Sequence, residues 1–360
     1  MALFGNRKQS PSFTSAPLQA AAGSAAQVGQ FYSYSVGAST ELALSCATVA
    51  RATQMILSMV GCLPLRHYTK QFNGERYEKI YLENEAWMDQ PDPKSTMNFI
   101  MSNTAMDIMM RGRAFWYVTS RSSATGRPLS FQWLPASMVS TLDQAGPQFF
   151  GQSNQVEFNG IQLPTEDVIQ FISGVQGFLF TGARTITTAL KLDQAAERFA
   201  VNEIAAGWLQ VGDNAEQMSA EDLGELAAAW RTARQQGGIG ALSGGISFHE
   251  FTSDPNKLQL LESRQYSSLE VSRQVGVPAY LLGIAVGGYT YQNAQQARQD
   301  LYLFGAKQVL DVIQMTLSMT NVLPRNRFVE FDVDDYIYEN HLAEVPVEEA
   351  RDRNREEMYS

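Results

Sequence analysis

The 360-residue sequence has few of the side chains that usually carry catalytic or metal-binding chemistry. It contains two cysteines, Cys46 and Cys62, and three histidines that lie far apart along the chain. Two cysteines cannot form a disulfide framework, nor a four-ligand zinc site on their own. No lysine follows a glycine, which excludes a phosphate-binding P-loop, and the G-x-S-x-G pattern of a serine nucleophile elbow is missing. The sequence therefore predicts no catalytic residue, no metal and no cofactor.

Long apolar runs and a surplus of basic residues are missing as well. The longest apolar run, residues 55–65, includes Ser58, Gly61 and Pro64 and is shorter than the roughly 20 residues that cross a bilayer. The start, MALFGNRKQS, lacks the apolar core of a secretory signal, so we expect a soluble protein of a reducing cytoplasm, with no membrane partner. With 37 acidic and 27 basic residues, the net charge is −10, which argues against a broad basic surface that holds nucleic acid.

The acidic residues are concentrated at one end of the sequence. Residues 330–360 contain eleven Asp and Glu but three Arg, so this segment carries −8 of the net −10. Asp332, Asp334 and Asp335 follow an alternating strand pattern, in which two carboxylates share a face. A divalent-ion site or an acid–base pair is one interpretation, and it would make the chain a cytoplasmic hydrolase. A solvated strand end is the simpler interpretation.

The first half of the sequence predicts a domain that mixes helices and short strands. Residues 1–38, rich in Ala, Ser, Gln and Gly, predict a flexible arm. A helical pattern covers residues 40–61, and a strand and an Asn73-Gly74 hairpin turn follow it. A helix over residues 95–110 then precedes short strands across residues 113–175, which are rich in aromatic and β-branched residues.

The second half places a small module between two long helices. Helical patterns cover residues 184–209 and 257–274, and a capping box at residues 219–222 starts a helix within the module. Val277-Pro278 breaks the second long helix, and the charge-free stretch GIAVGGYTY separates it from a third helix over residues 293–321. A compact enzyme rarely needs such a projecting hairpin, whereas a protein that spans a distance does. The whole pattern is typical of an α+β fold.

Five segments follow one another in an order that is typical of one family. They are the helix ending in Leu63-Pro64-Leu65-Arg66-His67-Tyr68, the turn Asp89-Gln90-Pro91-Asp92-Pro93 with the later Arg111-Gly112-Arg113-Ala114-Phe115, the strand LPTEDVIQFIS, the segment LQLLESRQYSSLEVSRQVGVPAYLLG, and the helix start Tyr291-Gln292-Asn293 with Gln296. Together they resemble the portal proteins of tailed double-stranded DNA bacteriophages over about residues 36–338. The fourth segment is the most specific, because it matches the family pattern f-g-V-P-x-x-l-l-G.

The resemblance implies a portal fold, with an α+β wing and a ring of usually twelve subunits. The parts it implies, in chain order, are the arm 1–38, the wing 39–181, the first stem helix 182–210, the clip 211–256, the second stem helix 257–283, the tunnel loop 284–292, a long helix with the rest of the wing 293–330, and an acidic tail or short crown 331–360. Family members often have a proline early in the helix after the tunnel loop. Here that stretch reads LFGAKQVL, so Gly305 is the expected weak point, or the helix is straighter.

The resemblance also implies a function and its partners. The chain would be a structural channel protein, not an enzyme, at a capsid vertex of the virion, through which double-stranded DNA enters and leaves. Its expected partners are further copies of itself, the major capsid protein, the terminase large subunit and a head–tail adaptor, with assembly in the host cytoplasm. Another virion or scaffold protein with an interaction hairpin is the remaining alternative.

The resemblance assigns three groups of site residues. The DNA-facing tunnel loop comprises Ile284, Ala285, Val286, Gly287, Gly288, Tyr289, Thr290, Tyr291 and Gln292. The clip residues expected to dock the motor or connector are Asp213, Asn214, Glu216, Gln217, Arg231 and Arg234. The kink of the second stem helix is expected at Val277 and Pro278.

Overall fold

The computed structural model of the chain describes residues 39–143, 151–200, 207–211, 219–235, 246–250, 259–284 and 294–338. The chain divides into two units: unit 1 comprises the residues up to Ile186 and from Leu269 onwards, and unit 2 comprises Thr187–Ser268. Both helices and strands are present, as the α+β prediction requires. In the described ranges, no helix combines the length and the apolar character of a membrane span.

Helices and strands are interspersed along the described chain. In order they are α1 (Thr40–Ser45), α2 (Ala47–Cys62), β1 (Leu65–Phe72), β2 (Tyr77–Leu82), α3 (Ala86–Asp89), α4 (Met97–Arg111), β3 (Arg113–Arg121), β4 (Pro128–Leu134), β5 (Val139–Thr141), β6 (Val156–Phe158), β7 (Ile161–Leu163), β8 (Val168–Ile172), α5 (Phe178–Thr181), α6 (Ala183–Ala200), β9 (Gly207–Val211), α7 (Ala220–Gln235), β10 (Ile246–Glu250), α8 (Leu260–Val275), α9 (Ala294–Asp300), α10 (Lys307–Leu317), β11 (Phe328–Phe331) and α11 (Asp334–Tyr338). A π-helical turn at Leu301–Ala306 joins α9 to α10.

In the described part of unit 1 there are three antiparallel sheets of three strands each. Their strand orders are β11-β1-β2, β4-β3-β8 and β5-β6-β7. In the first sheet, Phe72 pairs with Tyr77 across the hairpin, and Asn73 Oδ1 accepts hydrogen bonds from the N–H groups of Glu75 and Arg76. This geometry confirms the predicted Asn73-Gly74 turn, because an asparagine side chain that bonds the following backbone stabilises such turns.

The main core of unit 1 lies between the sheets β11-β1-β2 and β4-β3-β8 and helices α2, α4 and α10. Ile56, Met101 and Ile313 are each at most 1% exposed there. Trp116 of β3 donates its indole N–H to Thr104 Oγ1 of α4 at 2.7 Å, so the largest core ring is also satisfied as a hydrogen-bond donor. The methionine-rich helix predicted near residues 95–110 is therefore confirmed as a core element.

One buried carboxylate ties helix α4 to the sheet beside it. Asp107 is 4% exposed, and its Oδ2 accepts hydrogen bonds from Trp133 Nε1 at 3.0 Å and from the Ala136 N–H at 3.1 Å. Arg111, one turn further along α4, lies 3.4 Å from Asp107 Oδ1. Desolvation by burial raises the pKa of Asp107 to about 6, although the Arg111 guanidinium and these hydrogen bonds act to lower it.

Unit 2 corrects the predicted extent of the first long helix. The sequence pattern predicts one helix over residues 184–209, but α6 ends at Ala200 and Gly207–Val211 form strand β9. β9 pairs antiparallel with β10, with Trp208 opposite His249. The apolar residues of β9 also fit a helical periodicity, and the pairing with a distant strand decides between the two structures.

Helix α7 of unit 2 begins as its sequence predicts but is less buried than expected. Ser219 Oγ accepts a hydrogen bond from the Asp222 N–H at 3.2 Å, and Asp222 Oδ2 accepts one from the Ser219 N–H at 3.2 Å, which is a reciprocal capping box. The helical spacing of Leu223, Leu226, Ala227 and Trp230 predicts a buried stripe. The prediction is wrong for Leu223 and Ala227, which are exposed, because the described elements of one chain do not cover that side of the helix.

Candidate functional site

The structure describes the two flanks of the expected tunnel loop but only the first of its residues. Ile284 is described, whereas the predicted residues Ala285, Val286, Gly287, Gly288, Tyr289, Thr290, Tyr291 and Gln292 lie outside the described ranges. The flanks are residues 276–284, which follow α8, and residues 294–317, which begin with α9 directly after Asn293. Their geometry determines how the loop leaves and re-enters the fold.

A glycine and a proline end helix α8 at the predicted break. Gly276 has a φ of +78°, a left-handed conformation that ends a helix and that other residues adopt only at a cost. Its N–H donates to Ser272 O at 3.0 Å, and Ser272 Oγ donates to Val277 O at 2.6 Å. Val277 is 1% exposed, so the break at Val277-Pro278 is anchored in the core.

A short 3-10 turn carries the chain from the break to the loop. It spans Ala279–Leu282 and closes at Gly283, whose φ is +75°. The Gly283 N–H donates to Tyr280 O at 3.2 Å, and the Ile284 N–H donates to Ala279 O at 3.1 Å. These bonds satisfy the backbone at the end of the turn, so the direction in which the chain enters the loop is set by local hydrogen bonds.

The returning helix packs closely against this turn at its irregular part. A Cβ atom placed on Gly276 would lie 2.7 Å from Phe304 O, which is closer than real Cβ atoms approach. A Cβ on Gly305 would lie 3.4 Å from Val277 Cγ2 and 3.6 Å from Ile56 Cγ1. Phe304 and Gly305 belong to the π-helical turn, so the weak point expected at Gly305 is confirmed as a local irregularity rather than a straight helix.

A side-chain hydrogen bond links the two flanks. Tyr280 Oη donates to Asp300 Oδ2 at 2.5 Å, which joins the 3-10 turn to the last residue of α9. Sequence reasoning missed both this pair and Gly276. The Gly-Val-Pro sequence was a usable signal for Gly276, because glycine just beyond a helix and before a proline is a common helix end.

The helix that leaves the loop is also supported by α11. Tyr336 of α11 is half-buried, and desolvation raises the pKa of its phenol. The neighbouring Cys62 thiol adds to this rise, while the Arg298 guanidinium of α9 opposes it. Tyr336 packs against the core of unit 1, and α11 contacts α9, so the start of the returning helix is held close to that core.

Several charges on the helices around the loop are paired with opposite charges. Lys307 Nζ donates to Asp311 Oδ2 at 2.6 Å on α10, and this hydrogen bond raises the pKa of the Lys307 ammonium. Arg273 near the end of α8 forms an ion pair with Glu270. The loop itself, residues 284–292, contains no charged residue. The described flanks therefore present near-neutral surfaces rather than a cluster of cations.

In unit 2, one ion pair joins the two helices on either side of the module. Arg264 of α8 donates through Nε to Asp193 Oδ1 of α6 at 3.0 Å, and its Nη2 lies 2.9 Å from the same oxygen. An arginine on one of two neighbouring helices with a carboxylate on the other commonly forms such a pair. Both side chains are about half exposed, so the pair contributes little to the free energy of unfolding.

The structure describes the predicted clip residues only in part. Asp213, Asn214, Glu216 and Gln217 lie outside the described ranges, and Arg234 lies in α7. Arg231 is exposed on α7, two turns of helix beyond Leu223. The described residues do not show whether the six predicted clip residues lie close together, so their docking role stays a prediction.

The three aspartates behind the hydrolase interpretation have separate structural roles. Asp332 is 7% exposed and forms an ion pair with Arg66, and its N–H donates to Pro64 O at 2.9 Å. Asp334 and Asp335 lie in the first turn of helix α11 rather than on a strand, where acidic residues favour the helix dipole. In the described ranges, no three His, Cys, Asp or Glu residues are arranged to hold a metal ion.

Comparisons with known proteins agree on one family. The model of the family described as phage portal protein matches residues 47–347. The probable portal protein of Streptomyces phage phiC31 is 24% identical over 328 residues, which cover 81% of this chain and 68% of that protein. A crystal structure of an HK97 family phage portal protein from Corynebacterium diphtheriae has a TM-score of 0.67 at 24% identity, covering 86% of this chain and 99% of that one.

A second group of similar structures comes from gene transfer agent (GTA) particles. A chain in the neck of the native GTA particle, computed with C12 symmetry, has a TM-score of 0.58 at 15% identity. The match covers 98% of this chain and 95% of that one. At such identity the likeness concerns the fold, and it extends over nearly the whole length of both chains.

Proposed function

Because the chain belongs to the phage portal protein family, we propose that its copies form a ring-shaped channel at a capsid vertex, through which double-stranded DNA is packaged and ejected. The observation that carries this proposal is the family match across residues 47–347, which includes every described element from α2 to α11. The likeness to a neck chain in a particle of C12 symmetry supports a ring of twelve copies.

The paired charges around the loop support a channel that lets DNA slide. Proteins that hold DNA tightly do so through lysine and arginine contacts to phosphates, which release counterions and give strong binding. Here Arg273 and Lys307 already have carboxylate partners, and the loop between their helices is uncharged. A polyanion passing such a surface meets few free cations, so transport does not require the repeated breaking of strong phosphate contacts.

The break at Val277-Pro278 and the 3-10 turn Ala279–Leu282, which together we call the hinge, support a loop that changes shape on a fixed base. Val277 at the break is buried, and the Tyr280–Asp300 hydrogen bond joins the two flanks. Between them lies GIAVGGYTY, in which paired glycines impose few backbone restrictions. We assign residues 284–292 to the DNA-facing tunnel loop on this basis.

The remaining parts of the chain are assigned by analogy with the family. Residues 39–181 and 293–330 would form the wing, residues 182–210 and 257–283 the stem, residues 211–256 the clip, and residues 331–360 an acidic tail or short crown. The exposed face of α7, with Leu223 and Arg231, is suited to protein contacts outside one subunit. Docking of the terminase large subunit and of a head–tail adaptor at the clip, and of the major capsid protein at the wing, are the corresponding proposals.

On this account the chain is a virion component that has no enzymatic activity of its own. The missing P-loop fits this assignment, because a separate motor would hydrolyse ATP. Particles assembled in the host cytoplasm would carry one ring each.

The experiment that tests the location is labelling of a tagged chain in DNA-filled particles. Gold label on the tag should mark a single vertex of each particle in electron micrographs. Label spread over all vertices, or absent from purified virions, would contradict the portal assignment.

A further inference from the structure

The sheet β11-β1-β2 has a face that combines aromatic rings with cations. Tyr68 in the central strand stacks on Phe328 with 5.4 Å between the ring centres, and Tyr81 lies 6.4 Å from Tyr68. Lys70 Nζ lies 4.5 Å from the centre of the Phe328 ring, and Lys79 Nζ lies 4.9 Å from that of Tyr68. The rings hold these ammonium groups at the surface through cation–π attraction. The face is therefore attractive to anions.

The first acidic residues of the C-terminal segment already bind this sheet. Glu330 forms an ion pair with Lys79 and accepts a hydrogen bond from Tyr81 Oη at 2.9 Å. Asp332 forms an ion pair with Arg66 of β1. The run of acidic residues that continues to residue 360 thus starts on the sheet, with two of its members paired to two of the sheet's cations.

The opposite end of the sheet has cations that lack such partners. We call Lys70, Arg325 and Arg327 the basic end. Asn326 fixes their turn beside β1, because its Nδ2 donates to Lys70 O at 3.3 Å and its carbonyl accepts from Thr69 Oγ1 at 2.7 Å. In the described part of the chain, no carboxylate pairs with any of the three cations of the basic end.

The charges of the sheet and of the following segment are opposite in sign. Residues 65–82 and 324–331 contain six Lys and Arg but three Glu, a net charge of +3 in a chain whose total is −10. Residues 339–360 contain seven Asp and Glu but three Arg, a net charge of −4. Charge complementarity of this kind brings two surfaces together and determines which partner is accepted.

The segment is also long enough to reach the basic end. The last described residue, Tyr338, lies seven positions beyond Phe331, which pairs with Leu65 at the near end of β1. Lys70 is five residues further along β1, or roughly 17 Å. The 22 residues from 339 to 360 span up to roughly 70 Å when extended, so their acids reach Lys70 without strain.

We propose that residues 339–360 dock on the basic end of the sheet of their own chain, where their carboxylates neutralise Lys70, Arg325 and Arg327. This contact does not depend on the portal assignment, since it involves one chain alone. It makes the acidic segment a salt-sensitive partner of the sheet β11-β1-β2.

Carbodiimide coupling of the full-length chain tests the contact directly. The reagent joins a lysine amine to a carboxylate only when the two are in contact, and mass spectrometry of the digest identifies the linked peptides. We expect Lys70 to couple to carboxylates of residues 339–360. Lys79–Glu330 is the internal positive control, and Lys94 is the matched control, an exposed lysine that has no carboxylate partner in the described ranges. Lys70 should give at least about five times the tail coupling of Lys94.

A variant separates docking from random encounters. R325E/R327E keeps Lys70 but reverses the charge beside it, so tail coupling at Lys70 should fall several-fold while Lys79–Glu330 coupling stays unchanged. Raising the salt concentration from 50 to 500 mM should also lower the Lys70 yield, because the contact is electrostatic. Equal tail coupling at Lys70 and Lys94, or coupling at Lys70 that R325E/R327E leaves unchanged, would overturn the proposal.

Two further experiments test whether another copy of the chain, or DNA, binds the basic end instead. In a mixture of ¹⁵N-labelled and unlabelled chains, Lys70-linked peptides should be entirely heavy or entirely light, and mixed pairs would show that the tail comes from another copy, against the proposal. A short DNA duplex should bind wild type and R325E/R327E equally weakly. DNA binding that is lost in the variant, without tail coupling in wild type, would assign the basic end to nucleic acid instead.

Discussion

The Tyr280 hydroxyl donates a hydrogen bond to Asp300 Oδ2 at 2.5 Å, and this contact joins the two flanks of the uncharged loop. Twenty residues separate the pair in sequence, and the loop lies between them. The turn before the loop and the helix after it thus form one packed base. The first two predictions test this base.

Y280F should lower the free energy of unfolding by about 1–2 kcal/mol, because a partly buried hydrogen bond to the Asp300 carboxylate is lost. Urea unfolding of the purified chain measures the change. Y266F is the matched control, since Tyr266 is 61% exposed and makes no hydrogen bond in the described part of the chain. Equal stabilities of Y280F and Y266F would show that the contact does not support the hinge.

G276A and G283A should differ although both glycines have nearly the same φ, +78° and +75°. Both substitutions place a side chain in the left-handed region, at a cost of about 1 kcal/mol. At position 276 the new Cβ also meets Phe304 O at 2.7 Å, whereas at position 283 it meets no described atom within 4 Å. Thermal unfolding should therefore show G276A to be the less stable by at least about 1 kcal/mol, and equal losses would argue against close packing of the hinge on the π-helical turn.

D107N should change how stability depends on pH. Burial raises the pKa of Asp107 from 3.8 to about 6, so the folded state holds this proton more tightly than the unfolded state. The stabilisation is complete below about pH 4 and is lost as the pH rises through about 6, a total of about 3 kcal/mol. The difference in unfolding free energy between wild type and D107N should fall by up to that amount between pH 4 and 7.

D143N is the control of opposite sign for this pH series. Desolvation acts to raise the pKa of Asp143, but hydrogen bonds from Ser153 Oγ and the Asn154 N–H outweigh it and lower the pKa. The contribution of Asp143 is therefore present at neutral pH and lost as the pH falls through its folded-state pKa. Parallel pH profiles for wild type, D107N and D143N would contradict both assignments.

G287V/G288V should leave ring assembly intact but impair the packaging or retention of DNA. Valine at both positions restricts the backbone of the loop, which on our account must change shape as DNA passes. Particle DNA content and the oligomeric state of the purified variant are the two measurements. G287A/G288A should show a smaller defect, and normal packaging by the valine variant would count against a moving loop.

Elements whose signals are local were predicted correctly from the sequence. The hairpin at Asn73, the capping box at Ser219 and the break at Pro278 each depend on the chemistry of two to four adjacent residues. The irregularity at Gly305 was one of the two outcomes that the family resemblance left open, and the π-helical turn at Leu301–Ala306 decides between them.

Features that depend on distant partners were not predictable. Strand β9 has the apolar periodicity of a helix end, and only its pairing with β10 makes it a strand. The stripe on α7 has the pattern of a buried face, but the described elements leave Leu223 exposed. The Tyr280–Asp300 pair was missed for a similar reason, since many hydroxyls and carboxylates in the sequence have the right chemistry and only the packing of α9 beside the turn selects these two.

The mass and symmetry of the purified full-length chain test the central claim most directly. Native mass spectrometry combined with electron microscopy should show closed rings with a central hole and a mass near 480 kDa, about twelve times the 39.9 kDa chain. A monomer or dimer at all concentrations, with no ring in purified virions, would contradict the portal assignment.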